Sequence, residues 1–334
     1  MKKHTANCEH HKDGPDSCTV GIDVSKQHLD ACELPSGREA RFSNTREGVR
    51  AFGAWVCPRV ARVVYESTGS YHLLLEDRQV DRLPLSRINP KRGKRFAEAL
   101  GSEAKTDRAD ALVLAKMGRA MADDLMETPV RTRREKDMDE LRAARDAVNK
   151  ALTVLKGRRE HARNRLVRRE IEKDIARAKR QIGRLDQELE RLVATDAELS
   201  RKVALLVTIP GIARPTAIGL LVEMPELGTL STREAGSLFG LAPLSNDSGG
   251  RYGKRSIQGG RKRARTLLYM PTLAAIRWNP VLRERHLQFK QRGKPGKVAV
   301  TAAMRKMVLI ANAVIRDGKP WQVDHIPMPA HNAA

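Results

Sequence analysis

The chain has 334 residues, and 63 Lys plus Arg against 40 Asp plus Glu give a formal net charge of +23. Hydrophobic residues at 40% and charged ones at 31% exclude a wholly disordered chain and support two or three packed domains. Aromatics at 4% are too few for base stacking or a membrane-anchoring amphipathic helix to dominate binding, so the charge points to a polyanion gripped through its backbone, nucleic acid first.

Residues 1–17 are polar and predict a disordered tail. No apolar segment follows Lys2 and Lys3, and no run nears the roughly 18–20 apolar residues that span a bilayer. The 4 cysteines are too few for a disulfide scaffold. The expectation is therefore a cytoplasmic, nucleoid-associated protein with no membrane partner. Cys8, His10, His11 and Cys18 invite a zinc reading, but their spacing matches no usual pattern, and a loose tail is the simpler one.

From residue 18 the pattern is α/β. CTVGIDV alternates, with Val20, Ile22 and Val24 on one face and Gly21, Asp23 and Ser25 on the other. LDACEL and EARFSN are two more short strands, split by Pro35-Ser36-Gly37. Thr45 is the expected cap of a helix over REGVRAFGAWV, ARVVYE is a buried strand, a helix follows Gly69, and LPLSRIN is a strand. Helices follow near 91–100 and 107–121, completing a mixed α/β domain over residues 18–125.

Residues 135–204 lack Pro and nearly lack Gly. Ile171, Ile175, Ala178, Ile182, Leu185, Leu189, Leu192, Leu199 and Val203 form a heptad seam, with Asp196 in one seam position. Leu141, Val148, Leu152 and Leu155 mark a partner helix, and residues 157–170 are where the pair folds back or continues. Both an antiparallel hairpin and an intermolecular coiled coil fit. Residues 205–325 read as a mostly α domain: a Pro-Gly turn between helices, a short apolar helix after Ser231 and Thr232, a Gly-rich basic loop at 245–265, and two closing helices over TLLYMPTLAAIRW and VAVTAAMRKMVLIANAVI.

Four carboxylates stand out by context. Asp23 sits in an apolar strand, where an unpaired carboxylate costs several kcal/mol. Glu66 ends a buried strand, the edge where α/β sheets place sites. Asp107 and Asp110 share a helical face. Oxygen ligands of this kind suit Mg²⁺ or Mn²⁺. The plainer alternatives are a solvent-facing Asp23, an exposed strand end at Glu66, and a capping pair at 107 and 110. In a strongly basic chain the four together favour metal.

The ordered set GIDVSK, YESTGSY, INP and KTDRADA resembles the N-terminal domain of DEDD insertion-sequence transposases, related to Piv-type DNA invertases, over about residues 18 to 320. The resemblance implies a RuvC-like (RNase H-like) fold with Asp23, Glu66, Asp107 and Asp110 as divalent-metal ligands, followed by the long helical coiled-coil middle. TIPGIARPTA, FGLAP, DSGG and LLYMP resemble the family's C-terminal transposase domain, which implies Ser248 as a nucleophile joined covalently to a DNA phosphate. Ser248 is flanked by Gly249 and Gly250, which shield it little, and followed by cations that suit a phosphate. A serine needs activation, no histidine is near in sequence, and an ordinary turn is the alternative; Ser245 and Ser256 lie in the same loop.

Arg251, Lys254, Arg255, Arg261, Lys262, Arg263 and Arg265 occupy a stretch with no acid between Asp247 and Glu284, expected to meet phosphate. Residues 209–213 suit either phosphate binding at a helix start or a plain turn. The resemblance implies a DNA transposase/recombinase acting on donor and target DNA, guided by a structured non-coding bridge RNA, and strand exchange implies a dimer or tetramer. The rivals are a junction-resolving nuclease that uses only the carboxylates, and a non-catalytic nucleic-acid scaffold.

Overall fold

A computed structural model of the chain describes residues 17–67, 69–101, 107–245, 253 and 255–322. These form two compact units that divide between Arg131 and Thr132.

The N-terminal unit is built on a five-stranded sheet of order β3-β2-β1-β4-β5. Its strands are β1 (Cys18–Val24), β2 (His28–Leu34), β3 (Glu39–Ser43), β4 (Val60–Glu66) and β5 (Leu85–Ile88). β1, β2 and β3 pair antiparallel, whereas β4 and β5 run parallel to β1. Alternation sorts the side chains. Val20, Ile22, Val24, Val63 and Tyr65 pack under Val49 and Phe52 of α1 (Arg46–Trp55) and Leu75 of α2 (Leu73–Gln79). Thr45 caps α1, accepting from the Gly48 amide.

The opposite face carries Val64 and Ile88, covered by Leu114 and Met117 of α4 (Asp107–Ala120) beside α3 (Pro90–Ala99). A Cβ on Gly21 would lie 2.1 Å from the Ala111 carbonyl oxygen, and one on Gly118 would lie 2.5 Å from Thr19 Cγ2. Glycine at both points lets α4 lie directly on β1. Asn89 caps α3 by accepting from the Lys91 amide, and Pro90 opens the helix.

The C-terminal unit begins with α5 (Arg133–His161) and α6 (Arg165–Ala194), a hairpin that turns at residues 162–164. Thr132 and Glu135 form a capping box, and Asn164 caps α6. Leu152, Ile171, Ile175 and Ala178 close the seam, flanked by Val148, Leu155 and Ile182.

The heptad seam does not run on through Asp196. α6 stops at Ala194, and the Asp196 carboxylate caps α7 (Ala197–Val207), accepting from the Leu199 amide at 3.0 Å. It also pairs with Arg134. An aspartate competes well for orphan amides, so a helix start wins over a seam position.

α7 joins α8 (Arg214–Glu223), α9 (Thr232–Leu238), α10 (Lys262–Trp278), α11 (Pro280–Gln291) and α12 (Gly296–Asp317) around one core. α12 is long and apolar enough to cross a membrane by composition, and here it is a core helix that buries Met304, Met307, Ile310 and Ala311. Three helices, not two, close the unit. α11 escapes pattern reading because only Leu282 on it is buried, although the Asn279 cap and Pro280 announce it.

Candidate functional site

In parallel register Ile22 lies beside Tyr65, so Asp23 and Glu66 follow as neighbours at the carboxyl ends of β1 and β4. α4 starts above the same edge and carries Asp107 and Asp110 in its first turn. The Gly21 contact seats α4 closely enough on β1 for both of its acids to act on Asp23. Asp23 is half-buried, and its carboxyl is pushed up from an ordinary 3.8 to about 6. Burial is the largest cause, followed by the negative charges of Asp110, Asp107, Asp30 and Glu66.

Sequence reading missed Asp30 and Arg41. Cross-strand register places Asp23 opposite Asp30, and Asp30 opposite Arg41, in one row across three strands. Asp30 is only 3% exposed, and Arg41 grips it with a fork, Nε at 2.7 Å and Nη2 at 3.1 Å. The same guanidinium reaches Asp107 at 3.2 Å. The signal was present in LDACEL and EARFS, where Asp30 and Arg41 are charges inside short strands, but only register pairs them.

Glu66 has its own seat. A Cβ on Gly93 of α3 would come within 2.9 Å of its Oε2. Beneath it, Tyr65 donates to Glu76 at 2.5 Å, and Arg87 donates to the same oxygen at 3.2 Å. This buried network pins the end of β4.

All the donors here are oxygens, negative charge is in excess, and that excess raises the Asp23 carboxyl. The set fits a hard divalent cation. A different group brings its ligand atoms within 4.8 Å of one another: Cys18, Glu33 and Cys57. It suits a cation less well. Glu33 is already bonded to Arg38 at 2.9 Å and Ser36 at 2.8 Å, and burial with a hydrogen bond to Cys57 pushes the Cys18 thiol up to about 12. Cys8, His10 and His11 lie outside the described residues.

The seven basic residues named above divide. Arg261 pairs with Glu226 at 2.5 Å and Arg263 with Glu223 at 2.9 Å. Arg265 donates to the carbonyls of Phe239, Gly240 and Gly259, the last at 2.8 Å. It clamps the base of a ribbon made by β6 (Pro243–Leu244) and β7 (Ser256–Ile257). Lys262 and Arg255 are exposed and have no ion pair among the described residues. Ser248, Arg251 and Lys254 fall, in the chain, between those two strands and lie outside the described residues. The turn at 209–213 packs inward: a Cβ on Gly211 would meet Ala275 Cβ at 2.5 Å and the Pro271 oxygen at 2.8 Å of α10.

Residues 20–165 match the transposase family DEDD_Tnp_IS110, and residues 203–287 match the family described as Transposase IS116/IS110/IS902. The chain is also similar to the pilin gene-inverting protein of Moraxella bovis, 28% identical over 327 residues, 90% of this chain and 97% of the relative. The pilin gene-inverting protein of Moraxella lacunata is similar at the same identity and coverage.

Proposed function

We propose that this DNA transposase/recombinase, similar in both of its matched regions to IS110-family transposases, cuts and exchanges DNA strands of an insertion sequence with a divalent cation at Asp23, Glu66, Asp107 and Asp110 and a nucleophile at Ser248. The observation that carries the catalytic reading is that the parallel register of β1 and β4 sets Asp23 and Glu66 at one sheet edge, where α4 starts with Asp107 and Asp110 in its first turn. The mixed five-stranded sheet is consistent with a RuvC-like fold.

In this reading the four carboxylates hold Mg²⁺ or Mn²⁺ from one edge of the sheet, and Arg41, bonded to both Asp30 and Asp107, offsets part of their charge. The cation, when bound, stabilises negative charge on a DNA phosphate. The Ser248 oxygen bonds to phosphorus as the bond to one deoxyribose oxygen breaks. The proton leaving Ser248 balances the proton taken up by the departing sugar hydroxyl. A phosphoserine conserves the ester, so a second sugar hydroxyl reverses the step and joins a new strand without an energy source.

A structured guide RNA is part of the proposal because it divides the labour physically: base pairing selects the sequence while the protein grips backbones. A chain with 63 basic residues and 4% aromatics suits that role. Two copies or more would act together, and inversion, the activity for which the Moraxella relatives are named, is one outcome of the same strand exchange.

Denaturing electrophoresis of the chain with labelled donor and target DNA, candidate RNA and Mg²⁺ tests this. A protein–DNA adduct is expected from the parent and not from Ser248→Ala or Asp23→Asn. An adduct formed by Ser248→Ala would overturn the nucleophile. Cleavage with no adduct would point to the carboxylate-only nuclease.

A further inference from the structure

On the C-terminal unit, α11, α12 and the β6–β7 ribbon line a groove of about 2310 Å³. That is more than twice the roughly 300–1,000 Å³ that suits a small molecule, so its dimensions fit a polymer. Eight cations line it, Arg255, Arg285, Arg292, Lys297, Arg305 and Lys306 among them, against one acid, Glu284.

Of the eight, Arg316 pairs with Asp317, which does not line the groove, and the other seven form no ion pair among the described residues. Glu284 itself accepts a hydrogen bond from Gln288 at 3.0 Å. Elsewhere in the unit several cations are paired: Arg145 with Asp186, Arg214 with Glu190, Arg261 with Glu226 and Arg263 with Glu223. Lys306 is half-buried, and burial followed by the positive charge of Arg285 pushes its ammonium below the usual range. Like charges held together in partial burial cost folding energy, and a bound polyanion offsets that cost.

Two other features explain themselves within the fold. The Cys18–Glu33–Cys57 group is neutralised by Arg38, and the Tyr65–Glu76–Arg87 network braces β4.

We propose that this groove binds the phosphodiester backbone of a nucleic acid, with Arg285 and Lys306 among its phosphate contacts. The inference rests on the reading that the chain acts on DNA, and it places phosphate contacts on α11 and α12, away from the 251–265 stretch apart from Arg255. Duplex DNA and folded RNA offer the same phosphates, and the test separates them.

The full chain is titrated by fluorescence anisotropy, in chelator, into a labelled DNA duplex and separately into a labelled RNA hairpin, across a series of potassium chloride concentrations. Each phosphate contact contributes about 0.9 to the salt slope on duplex DNA, so Arg285→Gln with Lys306→Gln lowers the slope by about 2 and weakens binding at least about tenfold. Loss on one probe alone identifies the polymer in the groove. Arg292→Gln with Lys297→Gln, at exposed positions, gives the same kind of loss with no packing disturbed. Lys173→Gln with Arg191→Gln removes cations already paired to Glu170 and Glu188 and changes binding less than about twofold.

Parental affinity and slope in both groove pairs, on both probes, overturn the proposal. An Asp23→Asn form that still cleaves DNA sinks the catalytic reading without touching the groove, and groove variants that bind normally sink the groove without touching the catalytic reading.

Discussion

The edge of the N-terminal sheet and the groove of the C-terminal unit are electrostatic opposites. At the sheet edge, burial and then the charge of the gathered acids push the Asp23 carboxyl up to about 6. In the groove, eight cations gather against one acid. Along α5 and α6 the charges are instead matched, as Arg145 with Asp186 and Arg134 with Asp196. Matched charge serves the fold. Unmatched charge of one sign costs the fold and is retained where a ligand of the other sign offsets it.

The largest expected effect tests the acidic side. Asp23→Asn should lower strand cleavage by on the order of 10³-fold, because it removes a ligand from the charge-stabilising site. Gel quantitation of cleaved strand measures it, and near-parental cleavage would break the contrast outright.

Gly21→Val should unfold or loosen the N-terminal unit by about 3 kcal/mol, since backbone atoms of α4 stand 2.1 Å and 2.3 Å from the new Cβ. Urea denaturation followed by circular dichroism reads this. Stability within error of the parent would mean that α4 does not need to lie directly on β1.

Stability should also carry the sign of the unmatched charge. The folded Asp23 value, about 6, exceeds its ordinary 3.8, so the folded chain holds more protons between those values and loses stability as pH rises through them. Two pKa units correspond to about 3 kcal/mol, which partial exposure and screening reduce to about 1–2 kcal/mol. Metal-free Asp23→Asn should thus be more stable than the parent at pH 7 by about that amount, and its thermal midpoint should vary less between pH 4 and 7. A destabilised Asp23→Asn would show the acid row to be structurally paired.

Asp196→Ala sharpens the contrast from the matched side. It removes a helix cap and the Arg134 partner, so it should cost about 1 kcal/mol, opposite in sign to Asp23→Asn. Lys306→Gln completes the set with a change within about 0.5 kcal/mol and no loss of fold, measured by the same melts.

Much of the sheet was legible because burial writes itself as alternation: Val20, Ile22 and Val24 reach one core from every second position. Thr45, Asn89 and Ser231 were equally readable where a side-chain oxygen meets orphan amides, though only Thr45 was expected as a cap. α11 and the break at Asp196 were not, since a weak apolar stripe and a continuous heptad each conceal a cap. At the site, Asp23, Glu66, Asp107 and Asp110 could be singled out one by one. Asp30 and Arg41 could not, because nothing local distinguishes a strand charge that faces solvent from one that faces another charge.

The amino-acid order alone determined which residues are charged, which alternate and where turns fall, since those depend on neighbours within a few positions. It thereby fixed the chain's excess of positive charge and the chemistry of its acidic motifs. Tertiary structure decided which charges find a partner: Arg41 takes Asp30, Arg261 takes Glu226, and Arg285 is left beside Lys306. Coulomb energy depends on distance in space and on burial, and neither can be read from separation along the chain.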